Sequence, residues 1–232
     1  MVARTSKTAV MAQLRRAILT QELPPGADLD EARLSEEFAL SRTPLREILR
    51  DLAGAGLVEL RENRGARVSE MSHTTLRSFF QAAPMVYGAV LRLAAQNASA
   101  PQIAALKEAQ TRFVAALAQA DIAARALANT RFHEITGEMA GNVYLLPSFQ
   151  RLLVDHARIS MTFFRPKEAG EDATLGLASR QHDAIIAAIE AGDDTAAAAL
   201  AEAHWALSRD RIAQFVMPAS LDASLGRMPE RT

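Results

Sequence analysis

Apolar positions in the first seventy residues recur at helical spacing and then switch to alternation. Between Thr8 and Thr20, Val10, Leu14, Ala17 and Ile18 fall on one stripe. This predicts an amphipathic helix ended by Pro24-Pro25-Gly26. Asp30 is placed to cap a short helix through Phe38, with Leu34 and Phe38 four apart and facing inward. Ser41 heads a third helix running to about Ala53, whose buried side is Leu45, Ile48, Leu49 and Leu52. Pro44 is tolerated in its first turn, where the missing N–H would have no helical partner anyway, and Gly54 and Gly56 stop it. Two short extended runs follow, 57–61 and 66–69, joined by Glu62-Asn63-Arg64-Gly65, which reads as a hairpin turn. Three helices and a hairpin in this order form a winged helix-turn-helix layout.

From about Ser72 no further strand candidate appears and alanine becomes frequent. Helical periodicity predicts six helices, at about 73–97, 101–119, 121–140, 143–164, 176–191 and 194–215. The breaks fall at Ser99-Ala100-Pro101, Asp121, Gly141-Asn142, 166–170 and Gly192-Asp193, and Pro84 should kink the first helix. The expected fold is mainly α, an N-terminal winged helix-turn-helix followed by an all-α antiparallel bundle of about six helices. Residues 1–70 and 71–217 are expected to form the two domains, with a polar, mobile tail over 218–232.

Composition narrows the function classes. The chain has no cysteine, so disulfides and thiolate metal sites are excluded. No run approaches the roughly 20 apolar residues of a membrane span. Met1 to Val10 carries Arg4 and Lys7 without an apolar core or cleavage pattern, so a cytoplasmic protein with no membrane partner is expected. Net charge is only −1, and splitting the chain at residue 70 leaves both parts near balance. The distribution matters more than the sum. Arg42, Arg46 and Arg50 are spaced by four and Arg61, Arg64 and Arg67 by three, while acidic residues gather in 28–37. Local clusters of this kind suffice for phosphate contacts.

A recognition helix presents its N-terminal residues to base edges, with neighbouring groups on phosphates. Ser41-Arg42-Thr43-Pro44-Leu45-Arg46 has that form. Two arginines four apart share one face, and each can make paired hydrogen bonds to a guanine or hold phosphates. The hydroxyls of Ser41 and Thr43 and the free N–H groups of the helix start suit phosphate, and Arg64-Gly65 at the wing tip is placed to follow a minor groove. Charge spacing alone equally allows a solvated basic face.

Further segments carry a resemblance. Leu14-Arg15-Arg16-Ala17-Ile18-Leu19, Leu23-Pro24-Pro25-Gly26, Leu40-Ser41-Arg42-Thr43-Pro44-Leu45-Arg46-Glu47, Gly56-Leu57-Val58-Glu59 and Asn63-Arg64-Gly65-Ala66-Arg67-Val68 together resemble the DNA-binding domain of the GntR family of transcription regulators. The resemblance implies base and phosphate contacts from Arg42, Thr43 and Arg46, with Ser41, Pro44 and Gly65 close to the DNA. The chain departs from the family at the second helix, where an arginine usually follows the opening glutamate. Here Glu31 is followed by Ala32, and Arg33 is the candidate for that contact.

In the helical part, Asn129 and His133 project from one helix face at i, i+4. His182 and His204 lie at nearly equal distances before and after the Gly192-Asp193 turn, so an antiparallel pair of helices sets them at the same height. Three imidazoles on neighbouring helices suit zinc or another borderline divalent metal, although a lone helical histidine is more often core or surface. The segments Asn129-Thr130-Arg131-Phe132-His133, Ala140-Gly141-Asn142, 182–193 and His204 resemble the FCD effector domain of the FadR subfamily. That resemblance implies a divalent metal, zinc first, on His133, His182, His204 and a fourth position that is usually aspartate and here is Asn129. It also implies a small carboxylate effector, for which Arg158 is the candidate cation, with Arg151 one heptad away. His73 and His156 are expected to be structural or exposed.

A metal-dependent hydrolase is the competing reading. His133-Glu134 lacks the second histidine of an H-E-x-x-H site because position 137 is Gly137, and no phosphate loop or nucleophile elbow is present. A third reading is a dimerising interaction module without a small-molecule effector. The resemblance favours a ligand-responsive repressor, no enzyme, working as a homodimer on a palindromic operator in double-stranded DNA.

Overall fold

The computed structural model describes residues 6–62, 65–119, 121–164 and 172–216. The wing-tip Arg64 and the tail expected over 218–232 lie outside the described residues. The N-terminal part runs α1 (Lys7–Leu19), β1 (Asp28–Leu29), α2 (Glu31–Phe38), α3 (Arg42–Gly54), β2 (Val58–Arg61) and β3 (Gly65–Val68). Ser6 caps α1 by accepting from the Ala9 N–H, and Asp30 caps α2 by accepting from the Arg33 N–H at 2.8 Å. Ser41 heads α3 in extended conformation, but its side chain makes no capping bond. Its hydroxyl is therefore not used to close the first turn.

The strands form an antiparallel sheet in the order β1-β3-β2, with Val58 opposite Val68 and Arg61 opposite Gly65. The sequence pattern predicts the β2–β3 hairpin but not β1. Two residues are too few for alternation to register, and β1 exists because Asp28 and Leu29 pair with Arg67 and Ala66. Gly65, at φ +82°, lies where a Cβ would collide with the Leu29 carbonyl oxygen. A side chain there would push the wing off β1. The three helices and the sheet bury Val10, Leu14, Ile18, Leu34, Leu45, Ile48, Leu49, Leu52, Leu57 and Val68 in one core.

The helical part comprises α4 (His73–Asn97), α5 (Ala100–Leu117), α6 (Ile122–Ala140), α7 (Leu145–Phe163), α8 (Asp172–Glu190) and α9 (Asp194–Val216). Each predicted helix is present; α8 starts four residues earlier than its periodicity suggests, and α4 is helical straight through Pro84. Ser72 and Asp121 cap α4 and α6 through the Thr75 and Ala124 N–H groups, and Gly141, at φ +60°, closes α6 in the left-handed conformation. Helix α4 packs on α9 and α6, α5 on α6 and α8, and α7 on α6. Their core is aromatic at its centre, with Tyr87 meeting Phe149 and Trp205 at 4.9 and 5.6 Å between ring centroids.

Helix α7 belongs to both halves. Phe149 and Leu153 face the bundle core, whereas Val154 and Ala157 are buried with the winged-helix core. The Gln21 side chain donates to the Arg158 carbonyl at 2.7 Å, and Arg15 pairs with Glu134 at 3.0 Å. The two halves are therefore joined by apolar burial, a hydrogen bond and an ion pair as well as by the chain.

Candidate functional site

The start of α3 presents Ser41, Arg42, Thr43 and Arg46 to solvent, with Pro44 half-buried and Leu45, Ile48 and Leu49 beneath. Arg46 Nε donates to both carboxylate oxygens of Glu31, at 3.0 and 3.1 Å. Glu31, Arg46, Arg50, Arg61 and Gly65 line a hollow of about 210 Å³ between α3 and the wing. Glu31, Arg50 and Arg61 were not among the expected site residues. Their signal in the sequence was present only for the arginines, Arg50 as the continuation of the four-residue spacing of Arg42 and Arg46, and Arg61 as the first of the wing arginines spaced by three. Arg33 stands apart from this hollow. It is exposed on α2 and borders a different depression with Arg16, Glu22 and Glu37, so the fold does not bring it beside Arg46. Asp28 pairs with Arg67 at 3.0 Å and Arg61 at 3.7 Å. Asp28, from the acidic cluster, is thus paired with Arg61 and Arg67 of the wing rather than merely offsetting their charge.

The second constellation lies inside the bundle. His133 from α6, His182 from α8 and His204 from α9 each offer a ring nitrogen, and these atoms all lie within 4.8 Å of one another. The rings of His182 and His204 are 4.8 Å apart, the relation their equal offsets from the Gly192-Asp193 turn require. With Asn129, the three histidines are no more than 8% exposed. Among the described residues, His133 Nε2 and His182 Nε2 have no hydrogen-bond partner.

The surrounding amides decide which nitrogen is available. Gln110 Nε2 donates to the Ser179 carbonyl, the Ser179 hydroxyl and Asp183, at 2.9 to 3.1 Å. Its oxygen must then face His182 Nδ1, 3.0 Å away. An amide oxygen only accepts, so Nδ1 carries the proton and Nε2 keeps its lone pair. The Gln181 oxygen stands in the same relation to His204 Nδ1 at 2.9 Å. Partners that fix the tautomer of the coordinating ring are the usual surroundings of metal-bound histidines.

Burial holds all these rings neutral. It pushes His133 and His182 well below the usual histidine range, reinforced by the neighbouring imidazoles, and takes His204 down to about 4. Neutral imidazoles with unpaired lone pairs can hold a borderline divalent metal.

His156 also belongs here, at the buried rather than the exposed end of the expectation. Its Nδ1 is 2.6 Å from the Tyr87 hydroxyl, its Nε2 is 3.5 Å from the Asn129 amide nitrogen, and its ring is 4.8 Å from that of His133. Burial lowers its pKa to about 3. Asn129 and His204 share a small cavity with Ser160 and Ser208, of about 10 Å³, roughly one water-sized group.

Arg158 is placed otherwise than an effector-binding role requires. It is fully buried, donates to the Ser69 carbonyl and to Asp155 at 3.3 Å, and Arg151 holds the other Asp155 oxygen at 2.9 Å. Arg151 itself covers Gly56, where a Cβ would strike its guanidinium. These two arginines sit at the junction with the winged helix. His73 is exposed at the start of α4.

Comparison with known proteins agrees with both halves. The profile of the bacterial regulatory proteins of the gntR family matches residues 6–68, and that of the FCD domain matches residues 79–207. The chain is 30% identical over 196 residues to a probable D-xylose utilization operon transcriptional repressor of Paenarthrobacter nicotinovorans, covering 82% of this chain and 83% of that one. It is 26% identical over 208 residues to the galactonate operon transcriptional repressor of Escherichia coli, covering 81% and 88%. Among solved structures, E. coli McbR/YncC shares the fold at 20% identity with a TM-score of 0.75, over 93% of this chain and all of that one. The winged helix, the helical bundle and these likenesses together mean that the chain belongs to the GntR family of bacterial regulatory proteins, in the FadR-like branch that carries an FCD domain, and is a ligand-responsive DNA-binding transcription regulator.

Proposed function

We propose that the chain is a cytoplasmic, homodimeric repressor whose residues 1–70 read a palindromic operator and whose residues 71–217 bind a small carboxylate. The observation that carries this reading is the single helix α7. It brings His156 to the histidine centre and Val154, Ala157 and Arg158 to the winged helix. A change in packing around the histidines therefore has a rigid element through which to bias the DNA-reading half. Ser41, Arg42, Thr43, Pro44, Arg46 and Gly65 carry the operator contacts, and Arg64 at the wing tip joins them. Arg33 supports binding only from the flank of α2.

His133, His182 and His204, with Asn129 beside them, would hold zinc or a similar divalent ion. The metal, when bound, supplies a Lewis-acidic charge that can take an anionic oxygen. The chain's own residues set the site. Gln110 and Gln181 fix the tautomers of His182 and His204, and the rings of Tyr87 and Phe132 pack against His133 and His182, with Trp205 against Tyr87. His133-Glu134 does not make a hydrolytic pair, because Glu134 turns to Arg15 and Arg131 instead of the histidine centre. No enzymatic role is therefore proposed.

The test is a panel of small carboxylates in thermal shift, with zinc and with a chelator, followed by DNA-binding assays on the gene's own upstream region. The reading requires a carboxylate that both raises the melting temperature and changes DNA affinity. A panel that does neither favours a purely dimerising bundle.

A further inference from the structure

We propose that the cleft between the winged helix and the bundle is a second ligand site, separate from the histidine centre. Its ligand is a small zwitterion with an apolar side chain, an α-amino acid in class. The cleft holds about 400 Å³, within the roughly 300–1,000 Å³ usual for small-molecule sites. It straddles the junction of the two halves. Arg15 of α1 and Gly54 and Ala55 at the end of α3 line it on one side, α6 and the first half of α7 on the other. Leu146, Pro147, Leu153 and Val154 supply its apolar surface.

The charged groups of the lining define the ligand. Glu134 and Glu138 come from α6, Arg15 and Arg151 from α1 and α7. Arg15 meets Glu134 through one terminal nitrogen and Arg151 meets Asp155 through one, so each guanidinium keeps donors that no described residue uses. The last backbone bonds of α3 end on the carbonyls of Asp51, Leu52 and Ala53, which leaves those of Gly54 and Ala55 beyond them. The C-terminal end of a helix carries partial negative charge. An ammonium is thus favoured by Glu134, Glu138 and the end of α3, and a carboxylate by Arg15 and Arg151. Two carboxylates and two guanidiniums balance among the described lining residues. A ligand of zero net charge therefore enters without leaving an uncompensated charge in a half-enclosed cleft.

Gly54 keeps that space open. It is the last residue of α3, its φ lies outside the left-handed region, and no described atom is within 4 Å of where its Cβ would stand. Neither strain nor crowding calls for a glycine there, and glycine weakens a helix relative to alanine. What the missing side chain provides is room in the cleft. Helix α3 also carries Arg42 and Arg46 at its other end, so an occupant touches the DNA-reading helix and α7 together. This input reaches the winged helix without passing through the histidines. Linkage requires that any change it makes in operator affinity be returned as the same factor in its own affinity.

The test is isothermal titration calorimetry of the full chain with L-leucine, in the presence of a chelator so that no metal at the histidines takes part. The wild type should bind with a Kd of about 1 mM or tighter. Isocaproate and isoamylamine, which each lack one of the two charges, should bind at least about tenfold more weakly. Gly54→Leu places a side chain where space is open, so it should keep the wild-type melting temperature and lose at least about tenfold in leucine affinity. The Glu134→Gln/Glu138→Gln double variant should lose the preference for leucine over isocaproate, a readout that stands even if Gly54→Leu fails to fold. Absence of leucine binding by the wild type, or binding that persists unchanged in Gly54→Leu, overturns the site. Equal binding of the three compounds overturns the zwitterion. Each of these results leaves the metal reading of the histidines where it was.

Discussion

Arg158, two residues beyond the His156 of the histidine centre, donates a hydrogen bond to the carbonyl of Ser69, the first residue after the wing. The same guanidinium meets Asp155, and the residue's carbonyl accepts from Gln21 at the end of the first helix. A helix residue of the bundle is thus tied at two points to the winged helix. Its charge is fully buried, so the pair with Asp155 is held where breaking it is expensive.

Arg158→Met is therefore expected to destabilise the protein by about 3 kcal/mol, since Asp155 would keep only Arg151 as partner. Chemical denaturation followed by circular dichroism measures it. The same variant should weaken the effect of any effector on DNA affinity more than it weakens DNA binding itself. A loss of under about 0.5 kcal/mol would place the bond among surface contacts instead.

Glu31 restrains Arg46 through Nε, leaving the terminal nitrogens of the guanidinium for DNA. Such a restraint lowers the entropy lost on contact. Glu31→Gln should lower affinity for the cognate operator about three- to tenfold, with little change on unrelated DNA, because only the aim of Arg46 is affected. Removing an acidic group from a DNA-facing hollow would otherwise raise both affinities. Parallel titrations on the two DNAs tell these apart.

Gln110 sets the His182 tautomer, and its loss frees the ring to flip its proton to Nε2. Gln110→Ala should weaken zinc binding about 10- to 100-fold, the range for partners of coordinating histidines. Chelator competition reads the value, and Gln110→Asn, too short to span the 3.0 Å contact, should not rescue it.

Acid should unfold the protein earlier than its exposed carboxylates alone require. The folded pKa values of His156 and His204, about 3 and about 4, lie below the ordinary histidine value of 6.5. Below 6.5 the unfolded chain binds protons that the folded one refuses, so stability falls with falling pH through the window from 6.5 down to about 4 and beyond. Full protonation of His204 alone corresponds to about 3 kcal/mol. Urea midpoints at pH 7.5, 6 and 5 should decrease in that order. His204→Gln should flatten the trend, and an unchanged slope would show that burial does not hold this ring neutral.

Much of this was legible in the chain because long periodic helices advertise themselves. Six bundle helices, the three winged-helix helices and the hairpin follow from apolar spacing and from breakers such as Gly192-Asp193. The His182–His204 juxtaposition follows from counting outward from that turn. Strand β1 did not follow, since a two-residue strand exists only through its partner. His156 and Arg158 were hidden for a related reason. They lie two apart on a helix with neighbours on both sides, and spacing along α7 cannot tell which neighbour each one meets. The Arg46–Glu31 pair joins two helices across a turn, so it too needs the fold before it can be read.

The reading of α3 as a recognition helix is tested most directly by DNA titration of the full chain, wild type against the Arg42→Ala/Arg46→Ala double variant. It should be followed by anisotropy at about 150 mM salt on an operator obtained by in vitro selection. The account predicts that the wild type binds this operator about a thousandfold tighter than scrambled DNA. The double variant should lose that margin with its circular dichroism and melting temperature unchanged. A double variant that still discriminates the operator from scrambled DNA would contradict the assignment of this helix.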